Sequence, residues 1–272
     1  MAIKAQKNYL MIILLTLLSV ILAAALSLVS GYSVVAAIGA ALFFFLGLLF
    51  SVILASKRYD KTWYNARATA ESVKTLTWRW MMKTEPFDQA DDRLSHQKFV
   101  ADLHELLIQN KSICNPIDDN EQVTSGMSQI RSLALADRIN IYKQVRIEDQ
   151  SKWYLKKARY NANMADRWFW AIIGIQVLAL IAALVRIGKL DWNLLPTGVL
   201  ATIATAALSW MQSKRFQELS SSYSLTAQEI GFIKSSVALV KTERDFSGFV
   251  GDAENAFSRE HTQWQARRDM SS

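Results

Sequence analysis

Apolar residues along this chain are gathered into long uncharged runs separated by stretches of mixed polarity. Leu10 to Val29 and Ser33 to Ala55 contain no charged residue, and each is long enough for the roughly 20 residues that a helix needs to cross a bilayer core. Trp168 to Val185 and Leu194 to Met211 are shorter but also uncharged, and Arg186, Lys189 and Asp191 mark the end they share. The pattern predicts four transmembrane helices, spanning about 10–29, 33–55, 168–185 and 194–211, arranged as two hairpins. Lys4 and Lys7 before the first run imitate a secretory signal. That run exceeds the roughly 7–15 apolar residues of a signal core, and a second span follows it.

The remaining stretches keep a helical period. From Ser56 to Glu85, Tyr59, Trp63, Ala66, Ala70, Val73, Thr77 and Trp80 recur at helical spacing, a face that something must cover. Asp88 to Gln109 places Phe99, Leu103, Leu106 and Leu107 on one side of a further helix, with Asp91 and Asp92 near the positive end of its dipole. Asn115 to Asn120 reads as a loop and domain boundary, dividing the chain into 1–114 and 115–272. From Val123 a helical pattern runs through Ile130, Ile139, Tyr142 and Trp153 towards the third run, as one very long helix or as two. Pro86, Pro116 and Pro196 all fall where helices must stop or start. The predicted fold is all-α, an integral membrane protein whose two hairpins carry long cytoplasmic helical extensions.

A short repeat links the halves. Ser56-Lys57-Arg58-Tyr59 follows the first hairpin and Ser213-Lys214-Arg215-Phe216 the second; Thr69-Ala70 matches Thr226-Ala227 in the same register. With a one-residue shift, Lys83-Thr84-Glu85 matches Lys241-Thr242-Glu243. The unit is a hairpin followed by a helix, present twice.

Charge sets the orientation. The chain carries a net charge of +7 with 51% hydrophobic residues. With two hairpins, Lys4, Lys7, Lys57, Arg58, Lys61, Arg67, Lys152, Lys156, Lys157, Arg159, Arg167, Lys214 and Arg215 fall on one side, and only Arg186 and Lys189 on the other. The positive-inside rule places both termini in the cytoplasm. Trp168, Trp170, Trp192 and Trp210 stand at span ends as interfacial anchors. Because the basic residues track the membrane, the segment Lys57 to Lys83 reads as attraction to anionic lipid headgroups or an anionic nucleotide, and nucleic acid is not an expected partner.

Catalysis finds little support, since the sequence has no Gly-rich phosphate loop, no paired cysteines and no His-Glu-x-x-His pattern. His96 and His104 sit eight residues apart, too far for ligands on adjacent helical turns, so no metal or cofactor is expected. The lone Cys114 excludes an intrachain disulfide and reads as inert. The spans carry more information. Thr16, Ser19, Ala23, Ser27 and Ser30 form a stripe on the first, and Ser33, Ala36, Ala40, Gly47 and Ser51 a weaker one on the second. Gln176, Ala179 and Ala183 mark the third, and Gly198, Thr202, Thr205, Ser209 and Gln212 the fourth. Such faces turn away from lipid, either to let helices approach closely or to line a watery path in an oligomer. Thr16, Ser19, Ser27, Gln176, Thr202, Thr205 and Ser209 are therefore pore-lining candidates, and a pore needs several chains, as a dimer or tetramer.

Arg58-Tyr59, Trp63, Arg67-Ala68-Thr69-Ala70-Glu71-Ser72, Lys74-Thr75, Trp78-Arg79-Trp80 and Pro86-Phe87 resemble the signature that follows the hairpin in SLATT proteins, the SMODS- and SLOG-associating two-transmembrane effector domains of bacteria. Met127, Arg131, Arg138, Tyr142, Arg146, Asp149-Gln150, Trp153-Tyr154, Lys157-Ala158 and Asn161 are similar to the segment leading into the hairpin of a related subtype. The tail from Phe246 has no recognised counterpart. The resemblance implies a tandem of two such domains in the bacterial inner membrane. It also implies a role in conflict systems, where a nucleotide second messenger or a soluble sensor protein triggers membrane permeabilisation. Trp63, Arg67, Lys74, Trp78 and Trp80 are the expected cytoplasmic interaction face. The alternative expectation is a non-conducting scaffold that anchors a soluble partner through that face.

Overall fold

The computed structural model describes residues 2–29, 33–57, 59–111, 121–188 and 196–269, and every described element is a helix. In chain order these are α1 (Ala2–Val29), α2 (Val34–Lys57), α3 (Tyr59–Met81), α4 (Asp92–Gln109), α5 (Ser125–Ser132), α6 (Leu135–Ile141), a π-helical turn (Tyr142–Ile147), α7 (Glu148–Gly188), α8 (Thr197–Lys214), α9 (Phe216–Ser236), a 3-10 turn (Val237–Leu239) and α10 (Glu243–Asp269). Cys114, the loop from Asn115 to Asn120, and Trp192 lie outside the described residues.

Among the described residues, three helical stretches are long and apolar enough to cross a membrane: Ile3–Val29, Val34–Met81 and Leu135–Gly188. The fourth apolar run corresponds to α8, which does not reach that standard. Its last residues are Gln212, Ser213 and Lys214, and Leu194 and Leu195 at the head of the run lie outside the described residues.

The region from Val123 to Val185, open between one helix and two, holds one break. Leu133 and Ala134 adopt extended backbone between α5 and α6. From Leu135 the chain is then continuous through the π turn to Gly188.

α8 ends at Lys214 and α9 begins at Phe216. Arg215, in left-handed backbone with φ 51°, makes this joint, and its amide bonds back to the carbonyls of Met211 and Gln212. The repeat reappears at a matched pair of threonines. Thr69 and Thr226 are both buried, and each hydroxyl donates to the carbonyl four residues earlier in its helix.

The chain divides into two compact units, each drawn from both halves of the sequence. The first comprises Met1–Ala2, Thr62–Arg159 and Ser220–Ser272; the second comprises Ile3–Lys61 and Tyr160–Leu219.

The first unit has an aromatic core in which the Phe99 ring lies 5.3 Å from that of Trp80 and 5.8 Å from that of Phe87. α3 stops five residues short of Pro86, because Met82 and Lys83 close it as a left-handed cap. The Lys83 amide returns to the carbonyl of Trp80 and the Thr84 amide to that of Arg79, with Lys83 at φ 55°. Glu85-Pro86 is a cis peptide. α4 then starts from Asp91, whose carboxylate accepts from the amide of Arg93 at 2.8 Å.

In the second unit, α1 and α2 meet through small residues. Ser19 and Ala23 on α1 and Ala36, Ala40 and Gly47 on α2 are buried. A Cβ placed on Gly47 would stand 2.9 Å from the Ser19 hydroxyl, and one on Gly39 would stand 3.0 Å from the Leu26 side chain. These pairings run in opposite directions along the two helices, as a hairpin requires.

Candidate functional site

The most concentrated chemistry in the first unit surrounds one carboxylate. Glu254, on α10, is completely buried. Its Oε1 accepts from the Tyr142 hydroxyl and from Arg146 Nε, both at 2.9 Å. Its Oε2 accepts from Arg146 Nη2 at 2.7 Å and from the Thr75 hydroxyl at 2.9 Å. A buried charge is tolerable only when its partner and its remaining lone pairs are satisfied, and here four donors share the two oxygens. Two of the three donor residues, Tyr142 and Arg146, are on the π turn; the third is on α3. The Arg146 guanidinium also lies 4.9 Å from the Phe257 ring of α10. Arg79 reinforces the α3 contact, donating to Asn255 Oδ1 at 2.8 Å.

Two further buried arginines close the end of α3. The last carbonyls of a helix have no partner within it. Arg131 donates to the carbonyls of Trp80 and Phe87 and pairs with Asp92, and its Cζ lies 5.0 Å from the Trp80 ring. Burial is the largest influence on its ionisation and lowers the guanidinium pKa from its ordinary value, with the Asp92 carboxylate opposing. Arg138 donates to the carbonyls of Met82 and Leu133 and pairs with Glu243 at the start of α10. The second half of the chain therefore holds the end of α3 by charge-assisted bonds to backbone oxygen.

The five residues of the expected interaction face do not share one surface. Trp63 and Arg67 belong to an aromatic cluster, where Arg67 Cζ stands 6.0 Å from the Trp63 ring and 5.7 Å from the Trp153 ring, and a guanidinium nitrogen reaches the Tyr223 hydroxyl at 3.4 Å. Lys74 pairs with Glu71 at 2.8 Å on the surface. Trp78 stacks edge-on against Tyr142, and Trp80, 3% exposed, belongs to the core. Trp80 is thus removed from any open docking face, because α4 and Arg131 cover it.

The pore candidates separate as well. Ser19 is buried in the α1–α2 contact, its hydroxyl bonded to the carbonyl of Thr16, so it serves helix packing inside the hairpin. Thr16, Ser27, Thr202 and Thr205 each donate to the carbonyl four residues earlier in their own helix. Gln176 and Thr205 are exposed on α7 and α8, and Ser209 is half-buried. Of the anchors, Trp170 is 68% exposed, Trp168 is half-buried, and the Lys214 ammonium sits 5.0 Å from the Trp210 ring.

Two family signatures cover this arrangement. That of SMODS and SLOG-associating 2TM effector domain 3 matches residues 1–139, and that of domain 1 of the same name matches residues 142–264. The chain belongs to the SLATT family. It carries two SLATT domains in tandem, as the residue resemblance implied, and is a membrane effector of that class. Comparison with curated proteins and with solved structures finds no match. The second SLATT match opens at Tyr142, the first residue of the π turn, and includes the stretch from Phe246 that has no recognised counterpart in the sequence reading.

Glu254 escaped the sequence reading for that reason. A signal was nonetheless present: Val250, Ala253 and Phe257 make an apolar helical face, and Glu254 is the one acid set upon it. Arg131, Arg138 and Arg146 were marked by resemblance alone, and the structure gives them a physical task.

Proposed function

We propose that this SLATT tandem is a pore-forming membrane effector of a bacterial nucleotide-triggered defence system, acting as a homo-oligomer that permeabilises the inner membrane. The observation that carries this reading is Gln176, exposed on α7 amid Val177, Leu178, Leu180 and Ile181, which are exposed as well. A glutamine amide facing lipid is costly, and polar groups inside spans turn towards other helices or water. Thr205 repeats the pattern on α8. A second copy, as dimer or tetramer, would cover both, leaving Gln176, Thr202, Thr205 and Ser209 beside a shared axis.

In this reading the apolar run that contains α8 completes four spans as two hairpins, with both termini cytoplasmic by the positive-inside rule. The trigger is a nucleotide second messenger or a soluble sensor protein, in keeping with the SMODS and SLOG association in the family description. The chain acts without catalysis. The second reading, a non-conducting scaffold for a soluble partner, is favoured by the aromatic cluster at Trp63, Arg67 and Trp153.

Voltage-clamped planar bilayers test both. Channel currents abolished by Thr202→Leu with Thr205→Leu, while assembly persists, support the pore. Silence of the wild type, with candidate nucleotides added and a stable soluble complex recovered, transfers the function to the scaffold reading.

A further inference from the structure

The π turn has a geometric consequence for two arginines, Arg138 before it and Arg146 within it. Arg138 and Arg146 are eight residues apart, and eight α-helical steps of about 100° overshoot two full turns by about 80°. Both nonetheless reach carboxylates on α10, Arg138 that of Glu243 and Arg146 that of Glu254, and Arg138 also donates to the Met82 carbonyl just past the end of α3. The π turn absorbs the extra residue. Its amide-to-carbonyl bonds skip five residues, as where the Glu148 amide returns to the Lys143 carbonyl, so one residue adds no net rotation. Tyr142 and Arg146, both on the turn, spend their polar atoms on Glu254, and Ile147 at its end is fully buried. A π turn is uncommon in an α-helix and persists where its surroundings over-determine it. Here the over-determining group is the Glu254 carboxylate of α10.

We propose that α10 is an autoinhibitory latch. Glu254 holds Tyr142–Ile147 in π register, and when α10 leaves, the turn relaxes to α-helix and rotates the rest of α7 about its own axis by about one residue step. α7 is a single helix from Glu148 to Gly188, so the rotation is carried along it to the apolar stretch Trp168 to Val185 and redirects Gln176. The latch deepens the pore reading and rests on it only for the consequence of that rotation; the rotation itself is an independent claim. Release of α10 must break a buried charge pair together with the Arg138–Glu243 ion pair, which gives the closed state a high threshold against accidental opening. The partner that draws α10 away would offer its own cation to Glu254, the chemistry that Arg146 supplies in the closed chain.

The test uses the full chain in lipid nanodiscs and planar bilayers, with Cys114→Ser and single cysteines introduced by Gln176→Cys, Val177→Cys, Leu178→Cys or Ala179→Cys. A membrane-impermeant maleimide reads which positions meet water. Glu254→Gln is expected to move the most reactive position by one residue and to raise open probability at least tenfold. Deleting Gln144, an exposed residue of the turn, leaves Arg138 and Arg146 seven steps apart on one face of a regular helix. In that background Glu254→Gln is expected to leave the maleimide pattern where it was. An unchanged pattern in Glu254→Gln itself, or the same shift with Gln144 deleted, overturns the latch. A shifted pattern with silent bilayers upholds the latch and overturns the pore. Should Glu254→Gln fail to fold, Tyr142→Phe removes a single donor from the carboxylate, and a partial shift in the same direction is then expected; no shift there overturns the latch.

Discussion

The two compact units differ in the polar bonds that reach beyond a single helix. In the first, polar side chains join segments far apart in sequence: Arg146 and Tyr142 to Glu254, Arg131 to the end of α3, Arg138 to Glu243. In the second, the hydroxyls of Thr16, Ser51, Thr202 and Thr205 close on carbonyls one turn back in the same helix. They satisfy themselves and fix no neighbour. Directional bonds between distant segments therefore set the arrangement of the first unit. The α1–α2 contact rests instead on small residues packed closely, without a directional bond across it.

The largest expected effects lie in the first unit. Glu254→Ala strands Arg146 in the core, and loss of one partner of a buried pair costs about 3–5 kcal/mol. Replacing both, Glu254→Leu with Arg146→Met, should recover most of that loss while abolishing the charge dependence, as read from denaturant midpoints of the detergent-solubilised chain. If the single and double variants were equally unstable, packing and not the ion pair would hold α10. In the second unit the counterpart is steric. Gly47→Leu must displace Ser19 across the α1–α2 contact and should cost about 1–3 kcal/mol by overpacking. Gly39→Ala meets only the end of the Leu26 side chain and should be close to neutral in thermal unfolding.

Much of the second unit was legible in the sequence, because bilayer length and small-residue spacing act locally. The apolar runs, the joint after Lys214, and the facing stripes on α1 and α2 are all marked by residues within a few turns of one another. α8 was the exception, since it runs past the apolar residues into Gln212, Ser213 and Lys214, while Leu194 and Leu195 at the head of the run lie outside the described residues. The first unit was legible as helices but not as a site. Trp80 lay on a face that needed cover, and nothing in its spacing distinguished cover by α4 and Arg131 from cover by a partner protein. The π turn has no composition rule. Its trace is the eight-residue spacing from Arg138 to Arg146, which acquires meaning only once both side chains are seen to reach carboxylates of α10.

A smaller effect sharpens the contrast at the start of α10. Thr242 and Asp245 form a reciprocal cap: the Asp245 amide donates to the Thr242 hydroxyl at 3.1 Å, and the Asp245 carboxylate accepts from the Thr242 amide at 3.0 Å. Thr242→Ala should cost about 1 kcal/mol of helix stability. Hydrogen bonding from Thr242, then from the Lys241 and Thr242 amides, holds the Asp245 carboxyl below the ordinary aspartate value. A carboxyl depressed in the folded state stabilises above its unfolded pKa and ceases to as pH falls through the folded one. Hydrogen exchange in the first turn of α10 should therefore quicken only in strong acid. Asp245→Asn should remove that acid step and leave the Glu254 contacts protected.

The least change is expected from glycine substitutions at two left-handed helix ends, one per unit. Lys83 and Arg215 both hold left-handed backbone without being glycine, a conformation that costs an L-residue roughly 1–2 kcal/mol. Glycine removes that strain but enlarges the unfolded ensemble, worth roughly 0.5–1 kcal/mol against it, so each change should raise Tm by at most a few degrees. The two should differ in dynamics. At Lys83 the end of α3 is gripped from outside by Arg131 and Arg138 on the carbonyls of Trp80 and Met82, so Lys83→Gly should leave exchange in α3 unchanged. At Arg215 the joint between α8 and α9 is made by local bonds, its amide returning to Met211 and Gln212, its carbonyl accepting from the Leu219 amide, and its guanidinium pairing with Glu218 at 3.6 Å. Arg215→Gly should quicken exchange in the last turn of α8. Equal behaviour at the two joints would mean that α8 is held by contacts other than its own backbone, and that the second unit is less free to rearrange than its local hydrogen bonds imply.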